Sequence, residues 1–532
     1  MKNMYPTRPA FSPLLLLLVA LALAGCERPD PEVTVVPLGV TPGNPPGNAP
    51  GNPPTPPLTP FAGLLGPPTP VLEQAGLVGS LPTYAGTPTP DPPHAVADVG
   101  GAEPFLVHHV AAGETLGFIA RLYGSTLAEL LSLNTMSESD ILFVGQEIRV
   151  PQQSTQVAPS FKLIPDSELV YGPAAKGFSV RDFAAPFNGH LLAYGEEVEG
   201  QYLAGPEIVQ LVAHRYSVNP RLLLAILEHR AGWVTQSANT DNPFPLGYAE
   251  ASKPGLYTQL NWAANELNWG YYGRAEANLT TFSISDGTRL AFAADVNHGT
   301  AGAQRLLAVH SGATHQSWLQ DVGPDGFFAT YSRLFSNPFA YTIDPISSDS
   351  LAQPPLQLPW ASGETWYFTG GPHGGWASGA AWAALDFVPA SEHLGCVQSD
   401  AWVRAMADGV VTRSDFGAVV VDLDGDGYAG TGWAITYMHL EARDRIAAGT
   451  PVQTGDPLGH PSCEGGFSNG THVHIARTYN GRWVSADGLI PFVMGGWVSQ
   501  GLGREYDGLL VRGNVVKEAC QCREDINAVT SE

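Results

Sequence analysis

Hydrophobic positions change their spacing repeatedly along this chain, and each change marks a candidate unit. An apolar run from Leu14 to Ala24 follows a basic start (Lys2, Arg8) and closes on Leu23-Ala24-Gly25-Cys26. It is short for a membrane span and reads as a secretory signal over residues 1–26. From 27 to 104 Pro, Gly, Asn and Thr dominate, with PGN repeats between Pro42 and Asn52. Such a composition buries little, so an extended, largely disordered tether is expected. Residues 105–151 begin with strand-like alternation, continue with helical spacing over Thr115–Tyr123 and Thr126–Leu133, and close as a strand over Gln146–Val150. That order predicts a small βααβ module.

Between 160 and 350 the spacing is helical. Glu207–Tyr216 is amphipathic, and Asn219-Pro220 offers an N-cap followed by proline at the first helical position, opening a helix through His229. Further helices are expected near 258–274, 287–310 and 314–335. From 355 to 498 short strands alternate with glycine punctuation, predicting an antiparallel β domain, and 499–532 remain as a C-terminal extension. The expectation is a multidomain chain: a βααβ module, a mainly α-helical middle domain and a mainly antiparallel β C-terminal domain.

Chemistry concentrates in the β domain. His472 and His474 in GTHVHIA stand two apart in a strand and so share a face. Tyr437-Met438-His439-Leu440 supplies another histidine in an apolar strand, and His373 with Asp386 supplies a nitrogen and oxygen pair in a Gly-rich segment. Imidazole and carboxylate ligands with a position left for water point to zinc and to a hydrolase.

Four resemblances sharpen this picture. LAGC resembles a bacterial lipobox, which implies cleavage before Cys26, a lipid on its thiol and attachment of the exported protein to the outer face of a membrane; the small residues also suit ordinary signal cleavage, which would leave the protein secreted. Residues 105–151 resemble a LysM domain through V-x-x-G-E-T-L, I-A-x-x-Y-G and L-F-V-G-Q-E-I-R-V-P. The resemblance implies binding of N-acetylglucosamine-containing glycans, as in peptidoglycan, by Gly113, Glu114, Thr115, Leu116, Asn134, Ile141 and Leu142. SVNPRLLLAILEHRAGW resembles the opening of lytic transglycosylases and lysozyme-like domains, but Arg230 stands where their catalytic glutamate is expected and Glu228 lies two residues earlier. An arginine cannot donate a proton as an acid, so a degenerate, non-catalytic domain over 160–350 is expected. Residues 355–498 resemble the lysostaphin/LytM-type zinc endopeptidases through GGPHGG, ALDF, ADGVV, YMHL, G-x-x-V-x-x-G-D-x-L-G and GTHVHI, in that order. This implies one zinc per chain held by His373, Asp386 and His474. It also implies a general base at His472, with His439 orienting water or stabilising the oxyanion. His373 and Asp386 stand farther apart than in the compact H-x-x-x-D form, so an inserted hairpin must return Asp386 to the metal.

The remaining features refine the reading. With Cys26 lipidated, Cys396, Cys463, Cys520 and Cys522 are left, and four cysteines admit three connectivities. Placement favours Cys396 with Cys463 and Cys520 with Cys522, the first tying down HPSCEGGFSNG beside the H-x-H strand. Asp422-Leu423-Asp424-Gly425-Asp426-Gly427 mimics the opening of a calcium loop, but Trp433 occupies the twelfth position where a bidentate glutamate is needed, so a hairpin turn is expected. Trp360, Trp366, Trp376 and Trp382 read as core in preference to a sugar platform. A net charge of −24 without a basic patch excludes a nucleic-acid partner. The expected function is a wall-targeted zinc endopeptidase, and the alternative is an inactive peptidoglycan-binding scaffold or activator.

Overall fold

The computed structural model describes residues 105–532, apart from 111–113, 124–126, 138–141, 144, 152–155, 238–241, 349 and 391–394. The expected signal and tether, with Cys26, and also Gly113 and Ile141 therefore lie outside the described residues. Strands β1 (Phe105–His109) and β2 (Glu147–Pro151) pair antiparallel around helices α1 (Leu116–Leu122) and α2 (Leu127–Asn134). In β2 Ile148 and Val150 are buried while Glu147 and Arg149 are exposed, the period of a half-buried strand. Leu116, Ile119, Ala120 and Leu130 complete that core. The expected βααβ order is present.

The middle region is helical: α3 (Gly205–Tyr216), α4 (Pro220–Ala231), α5 (Leu256–Glu276), α6 (His298–Val309), α7 (His315–Asp321) and α8 (Phe327–Phe335). The Asn219 side chain accepts from Arg221 N at 3.0 Å and Pro220 opens α4, while Gly232 at φ 68° ends it. Helices α5 and α6 approach so closely that a Cβ on Gly270 would meet Gly302 Cα at 2.6 Å. Two expectations shift. The helix expected from 287 starts at His298, because Arg289–Ala291 forms a short strand, and the stretch from 314 is broken into α7 and α8 around Gly323-Pro324.

The C-terminal region is built on a nine-stranded antiparallel sheet. Its strands are β3 (Thr365–His373), β4 (Ala384–Pro389), β5 (Gly409–Asp415), β6 (Ala418–Asp422), β7 (Trp433–Met438), β8 (Pro451–Val452), β9 (Val473–Tyr479), β10 (Arg482–Trp483) and a last strand from the C-terminus. A smaller sheet contains β11 (Val493–Met494), β12 (Trp497–Gly501), β13 (Gly508–Arg512) and β14 (Val515–Glu518), after which β15 (Ala528–Thr530) rejoins the large one. The order is β8-β5-β6-β7-β9-β4-β3-β15, with β10 beside β9. The boundary expected at 498 falls inside β12, and β15 pairs with β3 (Val529 opposite Trp366). The tail is thus part of the sheet domain, a long-range pairing for which its few apolar residues carry no local signal.

Alternation sorts the sheet into two faces. Leu385, Phe387, Ile435, Tyr437, Val473 and Ile475 fill the core on one side, with Trp360 and Trp366 stacked there at 5.2 Å. Ala384, Met438, Ala476 and Trp483 face the other side and share a core with the helices. Trp483 donates from Nε1 to Tyr216 O at 3.2 Å, and Trp376 lies buried beneath the Arg215 guanidinium. Middle and C-terminal domains are accordingly joined by a common apolar layer instead of standing apart.

Candidate metal centre

The face shared with the helices also carries the polar site. Asp386 on β4 and His474 on β9 stand directly opposite each other in register, and Gly370 on β3 stands opposite Asp386 on its other side. A Cβ at Gly370 would lie 2.6 Å from Asp386 Oδ2, so the missing side chain makes room for the carboxylate. The chain leaves β3 at His373, turns through 374–383, a segment of glycine, alanine and serine interrupted by Trp376 and Trp382, and returns as β4, which is the hairpin that the wide spacing requires.

Three donor atoms meet there. His373 Nε2 lies 3.0 Å from His474 Nδ1 and 3.3 Å from Asp386 Oδ1, and His474 Nδ1 lies 3.2 Å from that oxygen. Ligands about 2.0–2.1 Å from a tetrahedral zinc stand roughly 3.3 Å apart, so the spacing fits such an ion. Asp386 Oδ1 is buried and accepts no hydrogen bond of ordinary geometry among the described residues, as a carboxylate oxygen reserved for a cation would be. The ring nitrogens facing away are occupied: His373 Nδ1 donates to Gly371 O at 2.8 Å and His474 Nε2 donates to Gly375 O at 3.1 Å. These bonds fix each tautomer with its bare nitrogen toward the ion position. Tyr506 stacks on His373 at 4.2 Å, a contact that no local motif announces.

His439 and His472 sit beside this trio, their rings 4.4 Å apart. His439 Nδ1 donates to Glu464 O at 2.9 Å and His472 Nδ1 donates to Gly470 O at 2.7 Å, so both present Nε2 to the site. His472 Nε2 is 3.7 Å from Asp386 Oδ1. His439 adopts φ 62°, a left-handed conformation that costs a histidine of order 1–3 kcal/mol and persists only where surroundings enforce it. Burial holds the His439 imidazole well below its usual range, with His472 and His474 adding to the effect, and burial also lowers His474. Burial opposes ionisation of Asp386, but His373 and His472 outweigh it and keep the carboxylate well below its usual range. Burial likewise opposes charge on His373, and Asp386 overcomes it to raise that imidazole.

The other singled-out residues lie outside this cluster. Disulfides link Cys396 to Cys463 and Cys520 to Cys522, with Cα atoms 5.7 and 5.1 Å apart. Asp422, Asp424 and Asp426 cluster in the turn between β6 and β7, with Asp426 paired to Lys176 at 2.6 Å. Leu116 is core, and Leu142 packs against it. Asn134 staples α2 to β2, accepting from Arg149 N at 2.7 Å and donating to Arg149 O at 2.6 Å. Glu114 pairs with His108 at 2.7 Å, and Thr115 is exposed. In the helical domain Glu228 accepts from Val234 N and Thr235 N, both at 3.1 Å, and Arg230 pairs with Asp321 at 3.0 Å.

Comparison with known proteins places these parts in context. Residues 108–151 match the LysM domain family, and residues 162–347 match the LasA N-terminal domain family, not a lysozyme-like one. Protease LasA of Pseudomonas aeruginosa is 27% identical over 335 residues, spanning 57% of this chain and 76% of the relative. Among solved structures, the M23 metalloprotease Pseudoalterin from the deep sea is 30% identical and covers 32% of this chain and 96% of its own, with a TM-score of 0.27. The catalytic domain of lysostaphin from Staphylococcus simulans is 19% identical, covers 23% of this chain and 89% of its own, and has a TM-score of 0.17.

Proposed function

Because the chain belongs with the LytM-type metallopeptidases and carries a LysM domain, we propose that it is an exported, wall-targeted zinc endopeptidase that hydrolyses peptide bonds in peptidoglycan stems or cross-links. The observation that carries this reading is the trio of His373 Nε2, Asp386 Oδ1 and His474 Nδ1 at tetrahedral-edge spacing, with two further imidazoles offering bare nitrogens beside it. His373, Asp386 and His474 would hold the ion. What a bound zinc supplies is Lewis acidity, which polarises the scissile carbonyl and acidifies water to near neutrality.

The chain's own residues do the rest. His472 Nε2 takes a proton from the attacking water and returns it to the departing amine, while its Nδ1–H bond to Gly470 O keeps the ring in the accepting tautomer. His439, held neutral by burial with its proton on Nδ1, is suited to accept from water and orient it; donation to an oxyanion would need the opposite tautomer. The LysM domain brings the enzyme to glycan strands, and a lipid on Cys26 would keep it at the outer face of a membrane within reach of the wall. The helical domain, whose Glu228 and Arg230 are tied into structural contacts, takes no part in cleaving glycan.

The test is digestion of purified peptidoglycan followed by mass spectrometry of the muropeptides. New amino termini should appear, should vanish with a zinc chelator and should return when zinc is restored. Zinc binding without any release of amino termini would leave the protein a wall-binding scaffold. Release of reducing sugars instead would assign turnover to the helical domain.

A further inference from the structure

The imidazole that moves protons and the one that orients water are aimed by backbone on either side of one crosslink, whereas the three metal-ligating groups are aimed by the sheet. Cys396 lies between Gly395, whose carbonyl accepts from Thr471 N at 3.0 Å, and Val397, whose N–H donates to Thr471 Oγ1 at 2.8 Å. Thr471 immediately precedes His472. Cys463 lies between Ser462 and Glu464. Ser462 donates to His439 O from both its backbone nitrogen (2.6 Å) and its hydroxyl (2.9 Å), and Glu464 O accepts from His439 Nδ1. Ser468 closes the circuit, its Oγ lying 3.4 Å from Cys463 Sγ and 3.2 Å from His472 Nδ1. The acceptors that fix the metal-site tautomers, Gly371 O and Gly375 O, belong instead to β3 and the turn that follows it.

From this separation we infer that the Cys396–Cys463 disulfide is a positioning element for the His439–His472 pair and acts independently of metal binding. The inference rests on the endopeptidase reading above. The loop it restrains contains Gly465, Gly466 and Gly470, so the loop's own backbone has little stiffness. His439 needs enforcement, because its left-handed backbone relaxes once the Ser462 and Glu464 contacts slacken. Proton transfer tolerates little displacement, and a misplacement of about 1 Å can cost on the order of 100-fold in rate.

The experiment compares the parent protein with the double variant Cys396→Ser/Cys463→Ser, using Cys520→Ser/Cys522→Ser as the control for loss of a disulfide elsewhere. In the first variant zinc should stay near one per chain and KM should change little, while kcat falls about 10- to 100-fold. The control should keep the parental kcat. Histidine ¹⁵N spectra supply a readout that needs no turnover: the Nδ1–H signals of His439 and His472 should give way to mixed tautomers, with those of His373 and His474 unmoved. If the double variant does not fold, reduction of the folded Cys520→Ser/Cys522→Ser protein by a non-chelating phosphine should produce the same spectral change, reversed on reoxidation. Unchanged His439 and His472 signals would overturn the inference. So would loss of zinc together with activity, which would assign the crosslink to the metal site. A parent without peptidase activity refutes the endopeptidase reading, and the spectra still decide whether the crosslink positions these rings.

Discussion

Asp386 and His474 face each other across an antiparallel strand pair, with 3.2 Å between carboxylate Oδ1 and imidazole Nδ1. Both positions lie in the middle of a sheet, so the proposed metal site inherits the rigidity of the fold. His474→Ala and Asp386→Ala should therefore lose zinc and activity together while the sheet stays folded. His472→Ala should keep its zinc and lose about 10²- to 10⁴-fold in kcat, the range for a missing general base. Zinc content by atomic spectroscopy beside turnover separates the two classes.

Phe467 stands 55% exposed on the loop whose neighbouring residues touch the His439–His472 pair. Ser468 contacts His472, and a Cβ on Gly466 would lie 4.0 Å from His439 Cε1. An apolar ring at that rim is placed to cover a bound peptide. Phe467→Ala should raise KM roughly five-fold, about 1 kcal/mol of binding, with kcat and zinc content unchanged.

Glu228 is 5% exposed and satisfies the backbone just past the end of α4. Glu228→Gln keeps one accepting oxygen and loses the other, a cost of about 1–3 kcal/mol for a buried group left short of a partner. Denaturant melts should record that loss. Release of amino termini from peptidoglycan should be unaltered at temperatures where the variant is folded.

Asp422 is fully buried at the end of β6, and burial, reinforced by the neighbouring Asp424, pushes its carboxyl up to about 6. An aspartate in the unfolded chain titrates near about 3.9. Between those values the folded protein holds a proton that the unfolded chain has released, so this group lowers stability as the pH rises through about 4 to 6. Asp422→Asn removes that loss. It should raise Tm by roughly a few degrees at pH 7 and have little effect below about pH 4, as read by thermal melts across the range.

Local patterns in the sequence were enough to place the βααβ module, the capped start of α4 at Asn219-Pro220 and the approach of His472 and His474 to one carboxylate, although β9 begins at Val473 and His472 precedes it. Each depends on neighbours within a few positions, where periodicity and capping operate. The same patterns overran the helix beginning at His298 and cut the sheet domain at 498, because a three-residue strand such as Ala528–Thr530 is specified by its partner on β3 and not by its own residues. Strand spacing and the family resemblance brought the five candidate residues into view, yet they could not show that Gly375 O chooses the His474 tautomer, or that Tyr506 lies on His373. Nor could they show that the helical domain and the sheet share a core through Trp483 and Trp376. Those relations join residues far apart in the chain, and only packing in three dimensions creates the distances on which they depend.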